Sequence, residues 1–126
     1  MCVILIDPPK VRPSIQVLEA CAYANPHGAG IAWREDGWVR YEKTDSVAKI
    51  HALARAARGE IVIHFRVASV GGIHPELRHP FPVTSRAGLC DSGSAKAVLF
   101  QNGTWAVGAR PWPTPSLEAA PRRRAA

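Results

Sequence analysis

The chain begins with an unbroken apolar run that limits the folds open to it. Residues Cys2–Ile6 are all hydrophobic, and the run ends abruptly at Asp7-Pro8-Pro9. An apolar run closed by a turn signal predicts a strand buried in a sheet. Ile61–Phe65 predicts another buried strand. Strands of this kind must be covered by other elements, and the chain offers two helices for that purpose.

The remaining segments alternate between helix and strand signals. They are, in chain order, a helix from its Ser14 cap to about Tyr23, short strands Gly30–Arg34 and Trp38–Tyr41 around a Glu35-Asp36-Gly37 turn, a helix opened by Asp45 and stopped at Gly59, and a hairpin of Ala97–Phe100 and Thr104–Val107 around Asn102-Gly103. The Gly-, Pro- and His-rich stretch from Ala68 to Asp91 predicts irregular structure. The order predicts an α+β domain with helices packed on a mostly antiparallel sheet.

The composition is that of one soluble globular domain. The 126 residues are 47% hydrophobic and 21% charged, which argues against general disorder. No apolar run approaches the roughly 18 residues of a membrane span, and Val3–Ile6 is too short for a signal peptide. We therefore expect a cytoplasmic protein with no membrane contact.

Positive charge is concentrated near the end of the chain. Residues 110–126 hold four arginines and one acid, Glu118, and so supply +3 of the formal net charge of +6. This Pro/Ala/Arg-rich composition predicts a disordered tail after a folded unit of residues 1–109. The body is only mildly basic and does not interleave aromatic with basic residues, so a nucleic-acid partner is not favoured. Binding of RNA or DNA by the arginine tail is an alternative that depends on charge alone.

The cysteines predict neither disulfides nor a metal site. Cys2, Cys21 and Cys90 are an odd number and form no CxxC pair, and the five histidines do not fall at ligand spacing with them. We expect no disulfide framework, no metal and no cofactor.

Cys2 has a chemical role open to it that the other cysteines lack. Removal of Met1 makes Cys2 the N-terminal residue, whose α-amino group has a reference pKa near 7.7–8.0. That amine can take the thiol proton, so nucleophile and base lie on one residue. The alternative is that a cysteine at position 2 has no function at all.

Five segments carry a resemblance to a known family. They are Cys2, YANPHGAGIAW at Tyr23–Trp33, HFRVASVGG at His64–Gly72, HPF at His79–Phe81 and QNG at Gln101–Gly103. In order and spacing they resemble the glutaminase domain of class II glutamine amidotransferases, which are N-terminal-nucleophile hydrolases. The resemblance covers roughly residues 1–105. It implies a four-layer α-β-β-α sandwich that releases ammonia from glutamine or a related small amide.

The resemblance implies a role for each matching residue. Cys2 is the nucleophile, and Asn102 and Gly103 supply the oxyanion hole. Arg66 holds the α-carboxylate of glutamine, helped by Ser69, and a guanidinium suits this because it makes two parallel bonds. Each match has a plainer alternative. An isolated arginine at a strand end is usually a surface or salt-bridged residue, and Asn-Gly between apolar runs is also a hairpin turn signal.

The chain departs from the family pattern in several places. Val67 and Val70 stand where members usually carry Trp and His, and Gln101 stands where a His commonly precedes Asn-Gly. The family also has an Asp well beyond Asn-Gly that binds the α-amino group, whereas this sequence has no acid after Glu118. The resemblance therefore implies an incomplete sandwich. A second hypothesis follows, in which the protein is a truncated or degenerate, non-catalytic remnant or binding module associated with another chain.

Overall fold

The computed structural model describes residues 1–68, 72–84 and 90–103. Its helices are α1 (Ile15–Ala24) and α2 (Val47–Ala56), with a short 3-10 helix at Pro75–Leu77. Its strands are β1 (Val3–Asp7), β2 (Ala29–Glu35), β3 (Trp38–Thr44), β4 (Ile61–Phe65), β5 (Phe81–Pro82), β6 (Ser92–Ala95) and β7 (Val98–Leu99). The protein is α+β, as predicted. No helix in these ranges is long and apolar enough to cross a membrane.

Strand β4 is an interior strand of the main sheet, next to the edge strand β1. The strand order is β1-β4-β2-β3-β6, with every neighbour antiparallel. Phe65 of β4 lies opposite Val3 on one side and Ala29 on the other. A strand flanked on both edges and covered on one face by helices must be apolar, which is why Ile61–Phe65 contains only one polar residue.

The two helices cover one face of this sheet. Leu18 of α1 and Ile50 of α2 are fully buried against Ile31, Ile63 and the neighbouring apolar side chains. Because side chains alternate along a strand, this face takes the odd-numbered residues of β1, β2 and β4. The burial of these side chains in one continuous cluster is the main source of stability for this half of the molecule.

Both helices begin with a serine cap. Ser14 accepts a hydrogen bond from the Val17 N–H at 3.3 Å, as the sequence predicts. The prediction that Asp45 opens α2 is wrong, because Ser46 is the cap and accepts from the Lys49 N–H at 3.1 Å. The Asp45 carboxylate instead binds the guanidinium of buried Arg78.

Helix α2 ends at Ala56, before the predicted stop at Gly59, and Arg12 explains the difference. The Arg12 Nε donates to the Ala54 carbonyl at 2.6 Å, and its Nη2 donates to the carbonyls of Ala57 and Gly59 at 2.7 Å each. Carbonyls at a helix C-terminus lack intrahelical partners. Arg12, from the segment before α1, donates the missing hydrogen bonds here and so links the two helices.

The opposite face of the sheet carries polar residues and is covered by a second layer. His64, Lys43 and Gly30 lie side by side on neighbouring strands of this face. The segment Leu77–Phe81 and the small β5–β7 sheet pack here: the Lys43 Nζ donates to the Glu76 carbonyl at 3.3 Å and lies 4.7 Å from the centre of the Phe81 ring. The stretch expected to be irregular therefore contains a 3-10 helix and a strand.

Gly30 permits the close contact between the two layers. It lies within β2, in the strand that the sequence predicts, and a Cβ at this position would overlap the carbonyl oxygen of His79. Only glycine lets a neighbouring backbone approach a strand this closely.

Strand β6 was not predicted, and it adds to the free edge of β3, which itself runs to Thr44 and so beyond its expected end at Tyr41. It pairs over Ser92–Ala95 with Val39–Glu42. In the predicted last hairpin, Val98–Leu99 is a strand, but it pairs with Phe81–Pro82. The other predicted arm, Thr104–Val107, and the tail at 110–126 lie outside the described residues.

We expect Gly30→Ala to lower the free energy of unfolding by about 1–3 kcal/mol, because the new methyl group overpacks a backbone contact that cannot yield. Urea unfolding measures the change. Gly59→Ala is the matched control, since a Cβ there lies at 3.4 Å or more from its neighbours. A Gly30→Ala protein as stable as Gly59→Ala would contradict the close approach of the two layers.

Candidate active site

Cys2 lies at the start of β1, half-buried, beside the residue that follows Arg66. Its Sγ accepts a hydrogen bond from the Val67 N–H at 3.3 Å and can donate to the Val67 carbonyl at 3.5 Å. The Cys2 carbonyl accepts from the Asn102 side-chain amide at 2.7 Å. The residue before it, Met1, is 95% exposed. The thiol is thus held by the segment that follows β4, and Met1 is open to solvent.

Asn102 reaches Cys2 from the far end of the described chain, and Gly103 follows it. Asn102 lies 100 positions from Cys2 in sequence, yet its amide nitrogen contacts the Cys2 backbone. Gly103 has a φ of +89°, and its carbonyl accepts from the Gln101 side-chain amide at 3.4 Å. A positive φ is readily adopted only by glycine. The structure therefore brings two of the predicted catalytic residues, Cys2 and Asn102, into direct contact.

Arg66 is buried, so the alternative that it is an ordinary surface arginine is wrong. It directly follows β4, its N–H donates to the Gly28 carbonyl at 2.8 Å, and its Nη2 donates to the Gly72 carbonyl at 2.8 Å. Burial lowers the pKa of Arg66, and the neighbouring Cys2 thiolate raises it. A guanidinium stays charged under both influences. Ser69, the other predicted substrate-binding residue, lies outside the described residues.

His27 was quoted only as part of a longer motif, and the structure gives it a definite place. Its backbone N–H donates to the Arg66 carbonyl at 2.9 Å, and its Nδ1 accepts from the Ala68 N–H at 2.8 Å. Acceptance at Nδ1 places the ring proton on Nε2. His27 thereby holds the segment Arg66–Ala68, against which the thiol lies. Nothing in its sequence spacing indicates this contact.

Two buried histidines, His64 and His79, contact each other on the face of the sheet opposite the helices, next to Gln101. Their ring centroids are 4.3 Å apart, and the His64 Nε2 lies 3.2 Å from the Gln101 carbonyl oxygen. Burial lowers the pKa of His64 to about 4, and it lowers the pKa of His79 well below its usual value. Both rings are therefore neutral at pH 7.

Alternation along the strands explains why these groups meet. Cys2, His64 and Arg66 are even-numbered and fall on the face of the sheet opposite the helices. This is the face covered by the His79 segment and approached by Gln101–Gly103. A thiol, a buried guanidinium and a side-chain amide donor therefore share one face of the sheet, and groups of these kinds can perform acyl transfer.

Other features of the described chain carry less chemistry. A cavity of about 550 Å³ lies between Trp33, Leu53 and Arg58, and none of the predicted site residues lines it. Within the described ranges, no group of three or more His, Cys, Asp or Glu side chains could hold a metal ion.

Comparison of the chain with protein-family models, with curated proteins and with solved structures found no match. The case for this site therefore depends on its own geometry and on the motifs in the sequence.

We expect the folded protein to lose stability between about pH 7.5 and pH 5. An unfolded histidine takes up a proton below about pH 6.5, whereas folded His64 does so only near pH 4. The unfolded state binds more protons in this window. The free energy of unfolding therefore decreases as the pH is lowered, by about 2 kcal/mol for His64 alone. Urea unfolding at the two pH values measures it. His64→Gln is the control, and its free energy of unfolding should decrease less over the same pH range. An equal decrease in both proteins would contradict the buried neutral ring.

Proposed function

We propose that the protein hydrolyses the side-chain amide of glutamine, or of a related small amide, in the manner of a class II glutamine amidotransferase. The observation that carries the proposal is the 2.7 Å hydrogen bond from the Asn102 amide to the Cys2 carbonyl. It joins the residues that the resemblance assigns to the nucleophile and the oxyanion hole across the whole folded chain. The buried Arg66 beside them supports the same assignment.

The reaction begins once Met1 is removed. Met1 is exposed, so a peptidase can reach it. The freed α-amino group then takes the Cys2 thiol proton, and the thiolate attacks the amide carbon of the substrate. The carbonyl electrons move onto oxygen, and the Asn102 side-chain amide and the Gly103 N–H stabilise that charge. Collapse of the intermediate returns the proton to the leaving nitrogen and releases ammonia.

A thioester between Cys2 and the glutamyl group remains after ammonia has left. Water, activated by the same α-amino group, adds to the thioester carbonyl and forms a second oxyanion at the same donors. Breaking the carbon–sulfur bond yields glutamate and restores the thiol. Each donor of this kind contributes about 2.7–4 kcal/mol to such transition states.

Arg66 supplies the charge that holds the substrate. Its guanidinium is buried on the same face of the sheet as the thiol, and the α-carboxylate of glutamine is the complementary group. A bidentate arginine–carboxylate pair fixes both position and orientation. In this proposal the Ser69 hydroxyl adds a hydrogen bond to the same carboxylate.

We also propose that the layers belong to an α-β-β-α sandwich. The helices form the first layer and the five-stranded sheet forms the second. The β5–β7 pair, packed on the face opposite the helices, is the beginning of the third. The support is the order of these three layers.

A second candidate is a non-catalytic module that associates with another chain. Ile6 lies on the edge strand β1 and is 67% exposed. An apolar side chain on an edge strand favours association through that edge. Light scattering of the purified protein distinguishes the two, because the catalytic proposal does not require a partner.

The first test is labelling with a diazoketone analogue of glutamine. We expect covalent modification at an N-terminal Cys2, suppressed by excess glutamine, and read by intact and peptide mass spectrometry. Exposed Cys90 is the internal control for unspecific alkylation. Cys2→Ala should lower glutamate release by more than about 10³-fold, as loss of a nucleophile does. Equal labelling of Cys2 and Cys90, insensitive to glutamine, would overturn the proposal.

A second test concerns substrate binding. Arg66→Lys keeps the charge but loses the paired bonds, so we expect the KM for glutamine to rise about 10- to 100-fold. Arg40→Lys, on an arginine whose side chain is half exposed, is the matched control and should leave KM within about twofold. Steady-state kinetics measures both. A KM unchanged in Arg66→Lys would remove Arg66 from the binding site.

A further inference from the structure

His64 lies on the interior strand β4 and is closely surrounded by other side chains. Its side chain is fully buried on the face opposite the helices. The His79 ring stands 4.3 Å away at an angle of 42°, and the Phe100 ring stands 6.3 Å away. The ring is enclosed by neighbours above and beside it, so it has little freedom to turn.

The one N–H of this ring donates a hydrogen bond to the backbone of the segment Gln101–Gly103, which is called the site loop below. The His64 Nε2 lies 3.2 Å from the Gln101 carbonyl oxygen. A carbonyl can only accept, so Nε2 donates and Nδ1 carries no proton. Among the described residues Nδ1 has no hydrogen-bond partner. The ring therefore makes one hydrogen bond from the sheet to the loop.

That bond holds the loop at the point where its strand has ended. Strand β7 stops at Leu99, the last residue paired with β5. Gln101 follows two residues later and directly precedes Asn102, whose amide contacts the Cys2 carbonyl. A continuous path thus leads from the interior strand β4, through His64 and the Gln101 carbonyl, to the Asn102 amide beside Cys2.

We propose that His64 is a positioning residue that holds Asn102 and Gly103 in place as oxyanion donors through its Nε2–H bond to the Gln101 carbonyl. The inference rests on the proposed glutamine hydrolysis. His64 does not touch the substrate. It acts on the turnover step, because the donors matter only once charge develops on the substrate oxygen.

The test compares two amide replacements that differ by one methylene group. His64→Gln carries an N–H donor with the reach of Nε2, whereas the amide of His64→Asn is too short to reach the Gln101 carbonyl. We expect kcat for glutamate release to fall about 10- to 100-fold in His64→Asn, since small misplacements of catalytic groups cost this much. The KM should stay within about twofold, and His64→Gln should recover kcat to within about fivefold of the natural protein.

Two further variants separate positioning from packing. Phe81→Leu removes buried ring volume from the same cluster without removing a donor to the loop, and should keep kcat within about threefold. Where His64→Asn does not fold, His64→Leu replaces it, because it leaves no unpaired amide in the core. A folded His64→Asn or His64→Leu with unchanged kcat, or a Phe81→Leu protein that loses as much activity as these, would overturn the proposal.

A measurement without activity keeps this inference distinct from the proposed function. The nuclear Overhauser effect between the Asn102 side-chain amide protons and the Cys2 α-proton reports their contact. We expect it in the natural protein and in His64→Gln, and expect it to be lost in His64→Asn. This pattern in an inactive protein would support the positioning role while the proposed function fails. An unchanged effect in His64→Asn would overturn the positioning role in an active enzyme.

Discussion

The pairing of β4 with β1 on one side and β2 on the other determines where every other part of the molecule lies. Its odd-numbered residues complete the helix-facing core, and its even-numbered His64 and the following Arg66 face the second layer. Because side chains alternate, a slip of one residue would turn the apolar set outward and the polar set into the core. The hydrophobic core therefore fixes the register, and the register in turn places Cys2 beside Val67.

The second layer depends on a different kind of contact. On the helix face, apolar side chains pack against one another and the sequence has many acceptable solutions. On the opposite face the absence of a side chain at Gly30 admits the His79 backbone, and neutral histidines fill the space beside it. The two faces thus differ in tolerance: the first needs only hydrophobic residues of suitable volume, whereas the second needs particular residues at particular positions.

The sequence predicted what depends on local pattern and failed where distant parts of the chain decide. The strand at Ile61–Phe65 and the Ser14 cap follow from periodicity and capping chemistry. Strand β6 has the sequence SGSA, which has little intrinsic preference for a strand, and it forms on the edge of β3 where a Cβ at Gly93 would come within 3.0 Å of the Tyr41 hydroxyl oxygen. The hydrogen bonds from Arg12 to the carbonyls at the end of α2 likewise cannot be read from the sequence. For the site, spacing offered no reason to join Cys2 to Asn102; the resemblance supplied that pair.

The contact between Cys2 and Asn102 also has a consequence for the order in which the protein is made. A ribosome produces the thiol first and the amide 100 residues later, and closing so long a loop is among the slow steps of folding. If the proposed function holds, the oxyanion donors therefore join the nucleophile only late in synthesis. On the proposed function, only chains synthesised past Asn102 can release ammonia, so that prematurely terminated products are chemically silent.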